Sequence, residues 1–129
     1  MASTRATPLD EPELHLGAEP GVLVPDLADW RRDRAELPGR DALVPDWICE
    51  VLSTANPTND TVRKKRIYHR FQVPHYWIVD PRDETLSVYR YTPEGYLEVL
   101  AAQRAERVRA EPFTSMELPV SALFGDEEE

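Results

Sequence analysis

The run Trp47-Ile48-Cys49-Glu50-Val51-Leu52 is apolar on both of its alternating faces except at Glu50. That is the pattern of a central strand covered on both sides, not of an edge strand. A chain built around it must supply a layer on each side of a sheet and must also house one acid in an apolar neighbourhood. Burying a carboxylate uncompensated costs on the order of several kcal/mol, so Glu50 calls for a cationic partner or a metal. The plainer alternative is a carboxylate bridged to a lysine with no catalysis.

The remainder of the chain limits what surrounds this strand. At 129 residues and 41% hydrophobic content, it is one small domain or part of one, and its composition is not that of a disordered chain. Lys and Arg number 15 against 24 Asp and Glu, a net charge of -9. A surface that negative repels a polyphosphate unless cations gather locally or a divalent metal intervenes, which disfavours a generic backbone binder of nucleic acid. The single cysteine, Cys49, rules out an internal disulfide and a cysteine-based zinc site. No apolar stretch approaches the length of a membrane span and the N-terminus has no signal-peptide pattern, so a cytoplasmic, membrane-free protein is expected.

Turn chemistry divides the chain. Residues 1–12 and the acidic tail 125–129 are too polar to order themselves. Glu13 to Leu16 and Val22 to Val24, joined by a loop rich in Gly and Pro, read as a hairpin. Trp30 to Asp41 reads as an exposed connection. The spacing of Val62, Ile67, Tyr68 and Phe71 predicts a helix over 60–71, with Asp60 at the N-cap and Pro74 beyond its end. Alternation then predicts three consecutive antiparallel strands over 75–80, 85–91 and 96–100, separated by Pro81-Arg82-Asp83-Glu84 and Pro93-Glu94-Gly95. The class is α+β, a sheet with at least one helix on its face.

Two Pro-Asp pairs, Pro25-Asp26 and Pro45-Asp46, stand beside strands, where Pro marks a strand end and holds the next carboxylate at the sheet margin. Either can be plain turn punctuation. Because strand side chains alternate, Asp46, Ile48 and Glu50 share one face while Trp47, Cys49 and Val51 share the other. If the strand next to Asp26 pairs with the Glu50 strand, Asp26 and Glu50 approach a common point, as a hard cation such as magnesium requires of oxygen ligands. Lys64, on the following helix, has the reach to place an ammonium there. The quartet Arg63-Lys64-Lys65-Arg66 also reads as a solvated helical face. His15, His69 and His75 lack metal-like spacing, Cys49 reads as a small buried hydrophobe, and Trp30, Trp47, Trp77 and the tyrosines at strand positions read as core or sheet cover.

Taken together, Val44-Pro45-Asp46-Trp47-Ile48-Cys49-Glu50-Val51-Leu52-Ser53, then Asp60, Lys64, Tyr68 and Val73, and then His75-Tyr76-Trp77-Ile78-Val79-Asp80-Pro81 resemble the Uma-two family of the PD-(D/E)XK nuclease superfamily. Glu13 to Gly17 and Val24 to Arg32 fit the same pattern. The resemblance implies a restriction-endonuclease-like fold, a mixed, largely antiparallel sheet with flanking helix, over a single domain at 13–124. It implies a DNA endonuclease using Mg2+ or Mn2+, with Asp26 and Glu50 as metal ligands, Lys64 as the catalytic cation and Asp46 as an additional candidate. The superfamily lysine normally lies two residues beyond the acid, where this chain has Leu52, and Lys64 matches the lysine this family places on the next helix. Against the family pattern the chain reads as truncated at its N-terminus, so a second copy is an expected partner for the exposed edge. The other reading is a catalytically inactive nuclease-like remnant or binding module whose acids and lysine form only an ion-pair network.

Overall fold

A computed structural model describes residues 9–10, 26–29, 44–52 and 58–125. The expected hairpin over 13–16 and 22–24, the connection over 30–41 and most of the loop after the Glu50 strand lie outside the described residues. Strands β1 (Leu9–Asp10), β2 (Leu27–Asp29) and β3 (Trp47–Val51) lead into helix α1 (Thr58–Arg70). Strands β4 (His75–Asp80), β5 (Thr85–Thr92) and β6 (Gly95–Gln103) follow, then the short β7 (Arg107–Val108) and β8 (Leu118–Pro119) and a 3-10 helix at Val120–Phe124. The first six strands form one sheet in sequential order, and β7 and β8 pair separately.

The sheet is mixed for a local reason. Strand β3 is joined to β4 through α1, and this crossover makes the pair parallel, whereas every other neighbouring pair in the sheet is antiparallel. Strand β3 is therefore central, with Trp47, Ile48, Cys49 and Glu50 all buried, as its two-faced apolar pattern requires. Helix α1 begins at Thr58, two residues ahead of the predicted Asp60 N-cap, with Pro57 just before it in the sequence. It ends in a turn at Gln72, whose φ of 60° is left-handed. The N–H groups of Gln72 and Val73 there return to the carbonyls of His69 and Tyr68.

Two cores sit on opposite faces of this sheet. Under α1 lie Ala28, Ile48, Tyr68, Val73 and Tyr76. Beneath the C-terminal segment lie Trp47, Cys49, Trp77, Val79, Leu86 and Val88, with Val120 of that segment packed onto them. The strand beside Asp26 that pairs with β3 is Leu27–Asp29, on the C-terminal side of Asp26, whereas the sequence reading places that strand at Val22 to Val24, outside the described residues; Leu27–Asp29 is a strand because β3 offers it an edge to pair with. Among the described residues, no helix is long and apolar enough to cross a membrane.

Candidate active site

Alternation along β3 sends Glu50 to the α1 side and Cys49 to the other. Glu50 is 5% exposed, and α1 supplies its partners. Lys64 and Tyr68 are one helical turn apart, so both leave α1 on the face that looks down on β3. The Lys64 Nζ stands 3.6 Å from Glu50 Oε1, and the Tyr68 hydroxyl donates to Glu50 Oε2 at 2.7 Å. Of the basic quartet, only Lys64 makes this contact. Lys65 lies over the Tyr89 ring, 4.0 Å from its centroid, while Arg63 and Arg66 are exposed. The solvated-face reading thus fits the two arginines, which are exposed, and fails for the two lysines between them.

Asp26 completes the group through strand register. Leu27 pairs with Cys49 in the antiparallel ladder, so Asp26, one residue further out, falls opposite Glu50 and on the same side of the sheet as Ala28 and Ile48. Its Oδ2 accepts the Val51 N–H at 2.6 Å, which folds the carboxylate over the end of β3. Burial pushes the Glu50 carboxyl above the usual carboxylate range; the Tyr68 hydrogen bond and the Lys64 charge oppose that rise, and the negative charge of Asp26 adds to it. The Tyr68 hydroxyl is itself raised, by burial first and then by the charge of Glu50. The structure therefore brings together a lysine and two acids that lie far apart in sequence.

A family model described as "Uma2: Putative restriction endonuclease" matches residues 4–121. The chain belongs to the Uma2 family. A crystal structure of a putative nuclease belonging to DUF820 from Anabaena variabilis is similar at a TM-score of 0.71 and 19% identity. The match covers 95% of this chain and 69% of that one, and at such identity the likeness is one of fold. None of the curated proteins compared with the chain matches it.

The donor set of this Uma2 chain suits a hard divalent cation. Asp26 and Glu50 offer only carboxylate oxygen, and the Cys49 thiol points to the opposite face with its ionisation strongly suppressed by burial. Among the described residues, no group of three or more His, Cys, Asp or Glu side chains is placed to hold an ion. Two carboxylates with water and a phosphate filling the remaining positions is what magnesium commonly accepts. Asp46 stands apart from the pair: it is the bend residue just ahead of β3, four residues before Glu50, and the strand between them spans roughly 3.3 Å per residue. It is buried, and its backbone N–H donates to the Asp29 carbonyl. Tyr68 is the one member of the cluster that the residue pattern alone read only as part of the apolar spacing of the helix. Its sequence signals as a site residue are its place four residues after Lys64 and its place beside Lys64 in the family pattern.

Proposed function

We propose that this Uma2 chain is a metal-dependent endonuclease that hydrolyses DNA phosphodiester bonds, with Asp26 and Glu50 holding Mg2+ or Mn2+ and Lys64 acting at the phosphate. What carries the reading is the meeting of Lys64 and Glu50 at 3.6 Å on the side of β3 where Asp26 faces Glu50. When bound, the metal supplies Lewis acidity toward the phosphate and makes a water more acidic. The chain's own contribution is positional and electrostatic. Glu50 presents oxygen from β3 and Asp26 from the residue just ahead of β2, two neighbouring strands held in register by their ladder. Lys64, half-buried against Glu50, holds an ammonium where charge develops on the phosphate oxygens. The local cation and the metal together offset the net charge of -9, which would otherwise oppose DNA.

The test is cleavage of supercoiled plasmid by the full chain with magnesium or manganese. Glu50→Gln should reduce cleavage to background, and Lys64→Met should cost about a hundredfold or more, with both variants folded. Equal cleavage by the parent and both variants overturns the assignment.

A second reading is favoured by one observation: Glu50 is already held by Tyr68 and Lys64 within the chain. On this reading the acids and the lysine form only an ion-pair network, closed by the Tyr68 hydrogen bond, in an inactive nuclease-like remnant or binding module. That network predicts no magnesium-dependent rise in Tm. A working site should gain about 2.7 kcal/mol at a metal concentration a hundred times its Kd.

A further inference from the structure

Glu50 carries three side-chain torsions and would explore several rotamers if only a lysine stood near it, since an ammonium attracts charge without fixing direction. The Tyr68 hydroxyl is a different kind of partner. It donates along one line to one oxygen, at 2.7 Å, from a ring that is fully buried. That ring is held in turn against Tyr76, with centroids 5.4 Å apart. Tyr68 also lies on the same turn-spaced face of α1 as Lys64, so the helix places the director and the cation on the carboxylate together.

We infer that Tyr68 is a positioning residue for metal binding: its hydroxyl fixes Glu50 Oε2, so that Oε1 is left toward Lys64 and available to a divalent cation. The inference rests on the metal-dependent reading of the site and adds a residue to it. Its physical content is preorganisation. A carboxylate already held by an outer partner does not have to be ordered when the ion arrives, and removing such a partner commonly weakens metal binding about 10- to 100-fold.

The experiment uses the full chain and Mn2+ as the probe, with binding followed by calorimetry and by the manganese paramagnetic resonance signal. Tyr68→Phe should raise the Mn2+ Kd about 10- to 100-fold and raise the metal concentration that half-saturates cleavage by the same factor, while KM for DNA at saturating metal is unchanged. A purely structural role for Tyr68 would lower Tm without moving the Kd of the folded protein. If the parent binds Mn2+, Glu50→Gln does not, and Tyr68→Phe binds like the parent, the positioning role is overturned while the metal site stands. If the parent and Glu50→Gln bind Mn2+ equally, the metal site itself falls and the inference falls with it. A measurement on the unsubstituted chain guards against a Tyr68→Phe protein that does not fold. The Tyr68 hydroxyl proton should give a slowly exchanging downfield resonance that shifts when magnesium is added. Its loss into exchange with water on metal addition overturns the proposal.

Discussion

Cys49 and Glu50 are neighbours on one strand, both buried, and they enter opposite worlds. Cys49 joins the face covered by the C-terminal segment, where Trp47, Trp77, Val79, Leu86, Val88 and Val120 pack. Trp47, Trp77 and Phe113 meet there edge to face, with centroids 5.2 to 5.7 Å apart. Glu50 enters the face under α1, where a carboxylate, an ammonium and a tyrosine hydroxyl are set among Ile48, Val73 and Tyr76. One face obtains its stability from apolar contact. The other gives some of that up to hold charge in a fixed place.

The largest effect that would sharpen this contrast is expected on the apolar face. Trp77 is nearly fully buried, and its indole N–H donates to the Glu111 carbonyl at 2.8 Å. Trp77→Ala should destabilise the fold by about 3–5 kcal/mol in denaturant unfolding. Any loss of cleavage should follow the unfolded fraction alone. If Trp77→Ala proves mild, the C-terminal segment is not the second layer of the core.

Acid–base behaviour should separate the faces by sign. On the apolar side, Glu111 takes two hydrogen bonds from Arg90, at 2.7 and 3.0 Å, and lies 3.3 Å from His75. The Arg90 hydrogen bond, followed by the Arg90 charge, holds its carboxyl below the usual range despite partial burial. The folded state then binds that proton less readily than the unfolded chain. The Glu111 contribution to stability is therefore fully present above the unfolded value of 4.5 and is lost as pH falls through the lower folded value. Glu50 is raised, chiefly by burial, so the folded state holds its proton more tightly and stability declines as pH climbs from 4.5 through the folded value. A Tm series from about pH 3 to about pH 8 on the metal-free chain should show Glu111→Gln flattening the acid limb and Glu50→Gln flattening the limb above it. Both changes should be smaller than the Trp77→Ala loss, because the Arg90 pair is open to solvent and Glu50 keeps two partners in the chain. Slopes of the same sign for the two carboxylates would break the contrast.

How much of this was legible in the sequence follows from where each signal lives. Strand β3 is written in a run that is apolar on both faces, and strands β4 to β6 in local alternation and in Pro and Gly turns, so they emerge from the residues alone. The opposition of Asp26 and Glu50 is a matter of register between segments some twenty residues apart, and no local pattern encodes register. Leu27–Asp29 is short, follows Pro25 and ends in an acid, so nothing in it reads as a strand until β3 stands beside it. Lys64 is singled out by its reach and again by the family resemblance, but what separates it from its basic neighbours, the contact with Glu50, is tertiary and is not written in the quartet itself. The C-terminal layer was not legible at all. Phe113 and Val120 reach the core from a segment of short bridges and a 3-10 helix that carries no repeating apolar period.

The smallest predicted effect is the most discriminating within the polar face. Tyr68 and Tyr76 are both fully buried and adjacent, yet they differ in what their hydroxyls do. Tyr68 bonds Glu50, whereas the Tyr76 hydroxyl has no hydrogen-bond partner among the described residues. An unmade buried hydrogen bond is a cost already present in the folded state, so deleting the hydroxyl removes a penalty instead of creating one. Tyr76→Phe should be neutral or stabilising by up to about 1 kcal/mol, while Tyr68→Phe should destabilise by about 1–3 kcal/mol because it strands a buried carboxylate oxygen. Unfolding curves on the two single variants decide the matter. If Tyr76→Phe is as costly as Tyr68→Phe, the polar character of this face extends beyond Glu50 and its two partners, and the Tyr76 hydroxyl belongs to the same network.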